Sequence, residues 1–212
     1  MMSIDNTVLP GAIYDELRAS IITQQDAPGS TLTESAVAER FAVARPTARL
    51  AIERLVADGL LRREPHHAAR VPLLSRDDIV DLFYNRAIVE AEAAAALASS
   101  ATVPPAAVAA NSALRTDPDF ARHDIAFHRA IVASQPSLRL SKMHDLLMGE
   151  IELCIGQVQS AHLISANDIC GQHEAILDAI GAGDAEGAST LMREHIHGAR
   201  DRLLTHGEDQ QW

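Results

Sequence analysis

The chain has few aromatic residues, few cysteines and no long apolar run, and each shortage excludes a class of protein. Aromatic side chains are 3% of the 212 residues, which argues against stacking single-stranded nucleic-acid bases on aromatic rings. The two cysteines, Cys154 and Cys170, lack the CxxC spacing of zinc fingers and indicate a reduced chain. No apolar run is long enough to span a bilayer, and the acidic N-terminal residues carry no export signal. We therefore expect a cytoplasmic protein with no membrane partner.

Net positive charge is also lacking, since the formal net charge is −11. The distribution is uneven, however, because the segment from Arg40 to Arg70 contains seven arginines against three acidic residues. A local basic surface matters more for contact with phosphates than the total charge does. We expect this N-terminal segment, and not the acidic remainder, to approach nucleic acid.

The first 72 residues follow the element order of a winged helix-turn-helix. Apolar spacing predicts a first helix around residues 13–22, after a Pro-Gly pair, and Thr33 is placed to cap a second helix. A third helix is expected over residues 45–58. Residues 60–63 and 70–72 predict two short strands around a loop, which together would form the wing.

From residue 75 onward the pattern is helical throughout. Six helices are predicted, over residues 76–100, 104–115, 119–134, 138–163, 167–182 and 184–206. The expected fold class is therefore mainly α, with an N-terminal winged helix-turn-helix and a C-terminal all-α helical bundle. We place the DNA-binding domain over residues 1–73 and the all-helical, dimerising domain over residues 74–212.

Six residues are candidates for contact with duplex DNA. A recognition helix enters the major groove with its N-terminal end, where an arginine can donate two hydrogen bonds to guanine. The candidates are Arg45, Thr47 and Arg49 on the third helix, and His66, His67 and Arg70 on the wing. An isolated pair of arginines would indicate a solvated helix face, but the order of elements around this pair favours DNA binding.

Four side chains with metal-binding chemistry fall on predicted interior faces of the helical domain. Asp124 and His128 are four residues apart and share one helix face, while His173 and His195 lie on the apolar stripes of later helices. An uncoordinated carboxylate in such an interior would be costly. Three imidazoles and one carboxylate suit Zn²⁺ best, and Ni²⁺, Mn²⁺ or Fe²⁺ if water or a ligand completes the coordination. A single buried histidine is usually a hydrogen-bonded core residue, so the predicted metal site depends on all four converging.

The N-terminal motifs resemble those of GntR-type bacterial regulators. The resemblance rests on residues 12–18 (AIYDELR), 27–34 (APGSTLTE), 43–55 (VARPTARLAIERL) and 58–61 (DGLL). The C-terminal half resembles the all-helical effector domain of the FadR-like branch, called FCD, in its six-helix VanR-type version. This resemblance covers nearly the whole chain.

The chain departs from the GntR pattern at several positions near the expected DNA contacts. Ala44 stands where the family usually has a hydroxyl residue, and Pro46-Thr47 stands where it has Thr-Pro. Ser35 replaces a residue that is often charged, and Ala68 or Ala69 replaces a wing glycine. These departures affect which operator sequence the chain recognises rather than whether it binds DNA.

The resemblance also implies a site and a function. FCD domains of this kind bind metal through an Asp-x-x-x-His pair and two later histidines, which correspond to Asp124, His128, His173 and His195. Arg86 resembles the family arginine that meets an effector carboxylate, although it could instead pair with Glu90 or expose its stem. The resemblance thus implies a homodimeric repressor that binds a pseudo-palindromic operator and responds to a small carboxylate metabolite bridging the metal and Arg86.

Two other functions compete with this interpretation. A metal-ion sensor would use the same four ligands, with the ion itself as the signal. A helical metalloenzyme would also use carboxylate and histidine ligands. The sequence has no second Glu-x-x-His set and no nucleophile motif, and an enzyme would leave the winged module unexplained. We therefore do not expect an enzyme.

Overall fold

The computed structural model describes residues 8–117, 119–160 and 163–207, and the chain divides into two compact units between Leu73 and Leu74. Nine helices and one two-stranded sheet lie in these described ranges, so the fold is mainly α, as predicted. The outermost residues of the two predicted domains, 1–7 and 208–212, lie outside the described residues. Among the helices described, none combines the length and apolar character needed to cross a membrane.

The first unit contains three helices and the sheet. Its elements are α1 (Val8–Ile22), β1 (Thr31–Leu32), α2 (Glu34–Arg40), α3 (Arg45–Ala57) and β2 (Ala69–Arg70). The Thr33 hydroxyl accepts a hydrogen bond from the backbone N–H of Ala36 at 3.1 Å, which confirms the predicted cap of α2. The first helix begins at Val8 rather than after Pro10, because proline is tolerated in the first turn of a helix.

The predicted first strand of the wing, residues 60–63, is wrong. The backbone N–H groups of Leu60 and Leu61 donate to the carbonyl of Leu55 at 3.0 and 3.2 Å, so the end of α3 uses the donors that a strand would need. Within this described segment, Arg62 alone makes a β-bridge, and its partner is Arg70.

The sheet forms between β1 and β2, which run antiparallel. Thr31 lies opposite Arg70, and Leu32 lies opposite Ala69. The predicted second strand, residues 70–72, is thus shifted to Ala69–Arg70. Because β1 precedes α2 directly, the wing is paired with the segment that leads into the helix-turn-helix.

The second unit contains the six predicted helices. They are α4 (Arg76–Ser99), α5 (Pro105–Ala113), α6 (Phe120–Ala133), α7 (Leu138–Ser160), α8 (Ala166–Gly181) and α9 (Ala185–Gly207), each ending within three residues of its prediction. The predicted end of the fourth helix, at residue 163, follows residues 161–162, which lie outside the described residues.

Helix α4 is central to this unit, because it packs against α6, α7, α8 and, most extensively, α9. Its buried face includes Ala87, Ala91 and Ala94, and small side chains allow neighbouring helices to approach closely. The same helix also buries two charged residues, Arg86 and Glu90. Charged groups in an apolar interior need partners; these two pair with each other and also face ionisable groups on the surrounding helices.

Candidate functional site

The structure brings the four predicted metal ligands together. Helix α6 contributes Asp124 and His128, α8 contributes His173 and α9 contributes His195, and all four side chains are buried. One ligand atom of each lies within 4.8 Å of the others.

Distances between the ligand atoms are those of a coordination sphere. Nε2 of His195 lies 3.1 Å from Nε2 of His128 and 3.4 Å from Nε2 of His173. Oδ1 of Asp124 lies 3.5 Å from Nε2 of His173 and 3.8 Å from Nε2 of His128. Two nitrogens bound to one tetrahedral zinc ion are about 3.3 Å apart, since each lies about 2.0 Å from the metal. The four residues therefore fit a divalent cation.

The other ring nitrogen of each histidine faces an oxygen atom. The pairs are His128 Nδ1 with Glu90 Oε2 at 2.5 Å, His173 Nδ1 with Asn111 Oδ1 at 3.2 Å, and His195 Nδ1 with Gln172 Oε1 at 2.7 Å. The amide of Asn111 is oriented by its own Nδ2, which donates to the carbonyl of Cys170 at 3.2 Å. Because an oxygen acceptor requires an N–H, Nδ1 of His173 and of His195 carries the hydrogen, which leaves the lone pair of each ring on Nε2.

The Nε2 atoms of the three histidines thus lie close together beside Asp124, an arrangement that a cation stabilises. Burial, followed by the positive charges of neighbouring histidines and Arg86, holds the pKa of His173 and of His195 well below its ordinary value. Neutral imidazole is the form that binds a metal. Burial also raises the pKa of Asp124, although His128 and Arg86 act against it. The three imidazoles and the carboxylate are therefore better suited to bind a divalent ion than a proton.

Glu90 lies directly behind the predicted ligands. Its Oε1 accepts hydrogen bonds from Nε of Arg86 at 3.0 Å and from Nε2 of His144 at 2.8 Å. Burial raises the pKa of Glu90, but the charges of Arg86 and His128, with hydrogen bonds from His128 and His144, outweigh it and hold the pKa well below its usual range. Glu90 is therefore an ionised carboxylate that supports His128.

Arg86 is fully buried, so the alternative of an exposed stem does not apply. Its Nε pairs with Glu90, while its two terminal nitrogens are buried without a hydrogen-bond partner. One of them lies 3.9 Å from Oδ2 of Asp124, which has no hydrogen-bond partner either. Buried donors without partners are costly, so these atoms mark a place where an oxygen-rich ligand would be stabilised.

The predicted DNA contacts on α3 lie at its N-terminal end. Arg45 is the first residue of the helix, and Arg49 lies one turn further along; both are exposed. Thr47 is partly buried. The two arginines are thus more accessible to solvent than Thr47 is.

The predicted contacts on the wing are also accessible. His66 and His67 lie in the exposed loop before β2, and Arg70 is the exposed residue of that strand. His67 and Arg70 line one surface cleft together with Arg62. The structure therefore brings two of the three wing residues to one concave surface.

Several residues with a place in these sites were missed by the sequence analysis. On α3, Leu50 is 55% exposed beside Arg49, and Glu53 lies one turn beyond Arg49. The spacing of four residues between Arg49 and Glu53 could have identified that pair. Asn111 and Gln172 carried no comparable signal, because Asn111 is 62 residues from His173.

Comparisons with known proteins match both units. The family described as "Bacterial regulatory proteins, gntR family" matches residues 9–71, and the FCD domain matches residues 78–198. The second match alone covers more than half of the chain.

Individual relatives match over most of their length. The HTH-type transcriptional repressor NanR from Enterobacter sp. (strain 638) is 26% identical, over 89% of this chain and 83% of that protein. An uncharacterized HTH-type transcriptional regulator, BphR, from Paraburkholderia xenovorans (strain LB400) is 28% identical, over 87% and 81%. The solved structure of E. coli McbR/YncC has the same fold, with a TM-score of 0.69 at 20% identity, over 97% of this chain and 99% of that one. The two sequence relatives are named as regulators of transcription, not as enzymes.

Proposed function

Because the chain belongs to the GntR family of bacterial regulatory proteins and carries an FCD domain, we propose that it is a metabolite-responsive, homodimeric repressor in the cytoplasm. It binds a pseudo-palindromic operator, as expected of a two-fold symmetric reader of duplex DNA. In this proposal α3 enters the major groove and the wing reaches the adjacent backbone. The contacting residues are Arg45, Thr47, Arg49, His66, His67 and Arg70.

A divalent cation is the second part of the proposal, held by Asp124, His128, His173 and His195. The observation that carries it is the set of three Nε2 atoms that meet beside a buried carboxylate. Zn²⁺ suits these donors best, and Ni²⁺, Mn²⁺ or Fe²⁺ are the alternatives. When bound, the ion supplies a positive charge and a coordination position for an anionic ligand.

A small carboxylate metabolite is the proposed effector. One carboxylate ligand leaves a divalent ion with net positive charge, and the free terminal nitrogens of Arg86 lie beside Asp124. Arginine binds a carboxylate through two parallel hydrogen bonds. Such an effector regulates DNA binding only if it binds one conformational state more tightly than the other.

Two exposed faces of the second unit support the homodimer. The acidic α4 face presents Val80, Tyr84 and Ile88, spaced four residues apart and each at least 40% exposed. Its exposed charged neighbours are Asp77, Asp81 and Glu92, against Arg76 at the start of the helix, so its net charge is negative. The basic α7 face presents Leu138, Met143 and Leu146, between 60% and 83% exposed, with Arg139 and Lys142 beside them. The exposed Asp145 of this helix is paired with Arg129 of α6 at 3.2 Å.

The two faces are complementary in charge, and both are apolar at their centres. In a two-fold dimer, the acidic α4 face of each copy contacts the basic α7 face of the other. The same contact is therefore made twice, and all four faces are covered. Exposed apolar stripes of this kind mark interaction surfaces. We therefore assign these faces to the interface with a second copy.

The DNA and metal parts of the proposal are tested by two pairs of variants of the full chain. Arg49→Ala should weaken binding to an operator selected from random duplexes, while Arg122→Ala, exposed on the helical unit, should bind as the wild type does. His195→Ala should lose the metal found by elemental analysis after purification without chelator. His197→Ala, on the same helix and partly exposed, should retain it. Equal metal content in both histidine variants would refute the ligand assignment.

A metal-ion sensor is the second candidate, favoured by the same cluster of four ligands. The two functions differ in what changes DNA affinity. A repressor of the proposed kind keeps its ion through dialysis and responds to a carboxylate. A sensor instead changes its DNA affinity when chelator removes the ion alone.

A further inference from the structure

Carboxylates from both helices of the helix-turn-helix approach Arg49. Glu53, one turn along α3, accepts a hydrogen bond from Nε of Arg49 at 2.6 Å. Glu34, in the first turn of α2, has an oxygen 4.0 Å from the same nitrogen. Both distances are measured at Nε, and the Arg49 side chain remains 61% exposed, so its guanidinium group is accessible to DNA.

Arg54, a later arginine of α3, is placed differently. Arg54 pairs with Asp58 at 3.8 Å and lies over the ring of Tyr14 at 3.9 Å, which directs it toward α1. Arg49 instead stands on the outer side of the helix, with 61% of its side chain exposed.

Two carboxylates beside Arg49 are unfavourable for an arginine that holds phosphate. Affinity for the DNA backbone comes from positive charge, and each nearby negative charge opposes it. A base edge has no net charge, and guanine offers its O6 and N7 atoms to the fork of a guanidinium group. An arginine held at Nε keeps that fork intact and loses less rotamer freedom on binding.

We propose that Glu53 is a specificity-determining residue that positions Arg49 to read a guanine. With Glu34, it also disfavours contact between Arg49 and phosphates. The inference rests on the proposed function, because it needs α3 in the major groove. An exposed ion pair contributes little to stability, so the effect lies in the choice of DNA rather than in folding.

The test begins with selection of duplexes from a random library by the full wild-type chain. Binding of a selected and an unrelated duplex is then measured by fluorescence anisotropy for wild type, Arg49→Ala, Glu53→Gln, Glu53→Ala and the double variant R49A/E53Q. Both Glu53 variants should lower the ratio of the two affinities roughly tenfold, the order expected for one bidentate base contact. Binding to the unrelated duplex should tighten, because a negative charge has been removed.

Asp58→Asn is the matched control, since it removes the Arg54–Asp58 ion pair at the end of α3 without touching Arg49. Circular dichroism checks that each variant folds. The control should keep the wild-type ratio, and the double variant should discriminate no worse than Arg49→Ala alone. Library selection with each variant should show that preference is lost at the same base pairs in Glu53→Gln and Arg49→Ala.

An unchanged affinity ratio in the Glu53 variants would overturn the inference. So would equal tightening on both duplexes, or a loss of preference spread evenly across the site. If the wild-type chain enriches no sequence at all, the proposed function fails, and this inference fails with it.

Discussion

Nδ1 of His128 lies 2.5 Å from Oε2 of Glu90, and both side chains are fully buried. A carboxylate that accepts from the outer nitrogen of a metal-binding histidine fixes the ring and makes the inner nitrogen a better donor. Glu90 also accepts from His144 and Arg86, so one carboxylate joins the candidate metal centre to the candidate effector arginine.

Glu90→Gln should weaken metal binding by about 10- to 100-fold, the usual effect of losing such a support. Affinity is measured for Zn²⁺ by competition with a chromophoric chelator, below the thermal midpoint of each variant. Glu92→Gln, two residues along α4 and exposed, should bind as the wild type does. The bound Co²⁺ spectrum should also shift in Glu90→Gln alone; unchanged affinity and spectrum would exclude a role for Glu90.

The metal-free protein should lose stability as the pH falls from about 7 to 5. Burial and neighbouring positive charge keep His173 and His195 neutral in the folded chain, with a lowered pKa. In the unfolded chain they take up protons near pH 6.5, so each can lower the free energy of unfolding by up to about 1.4 kcal/mol per pH unit below that value. Urea midpoints measured in chelator at several pH values test this.

The double variant H173Q/H195Q should show a flatter dependence over the same window, because neither side chain can then take up a proton. His66→Gln, exposed on the wing, serves as the control and should follow the wild type. Parallel curves for the wild type and the double variant would show that these histidines do not determine the pH dependence.

Leu146→Glu should weaken the dimer at least about a hundredfold. The side chain is 71% exposed on the basic α7 face, so the substitution spares the fold but sets a negative charge against the acidic α4 face. Sedimentation equilibrium measures the dissociation constant. Val108→Glu, on a 43% exposed residue of α5, is the control. A dimer equally stable in both variants would place the interface elsewhere.

Both cysteines should resist alkylation in the folded protein. Cys154 and Cys170 are free and buried, and burial raises the pKa of Cys154 to about 12. The thiolate is the reactive form, so iodoacetamide at pH 8 should label Cys154 only after denaturant is added. Mass spectrometry of native and unfolded samples measures this, and rapid labelling of the native chain would contradict the buried position.

Helix positions could be predicted because apolar residues recur at helical spacing, and the ends could be predicted from caps such as Thr33. The four clustered side chains lay on apolar stripes, so their convergence also followed from periodicity and family pattern. The wing strand at residues 60–63 could not be predicted correctly, since an apolar pair such as Leu60 and Leu61 suits a helix end or a strand equally.

The outer partners of the histidines depend on contacts between distant segments. Asn111 reaches His173 from another helix, and Gln172 reaches His195 across 23 residues. Local spacing contains no information on such pairs. The sequence identified Glu90 only as a possible partner of Arg86. In the structure, its carboxylate contacts three side chains, those of Arg86, His144 and His128.

The candidate ligands belong to three separate helices, of which α6 and α8 are separated by the whole of α7, while α8 and α9 are consecutive. An ion bound by all four ligands would cross-link the three helices. It would close the chain between the ligands into loops, as a disulfide does in secreted proteins. Both thiols of this chain are free and neither belongs to the proposed site, so the cross-link made by the ion would be insensitive to reductant. The effector unit would then loosen in response to metal scarcity and not to reducing conditions.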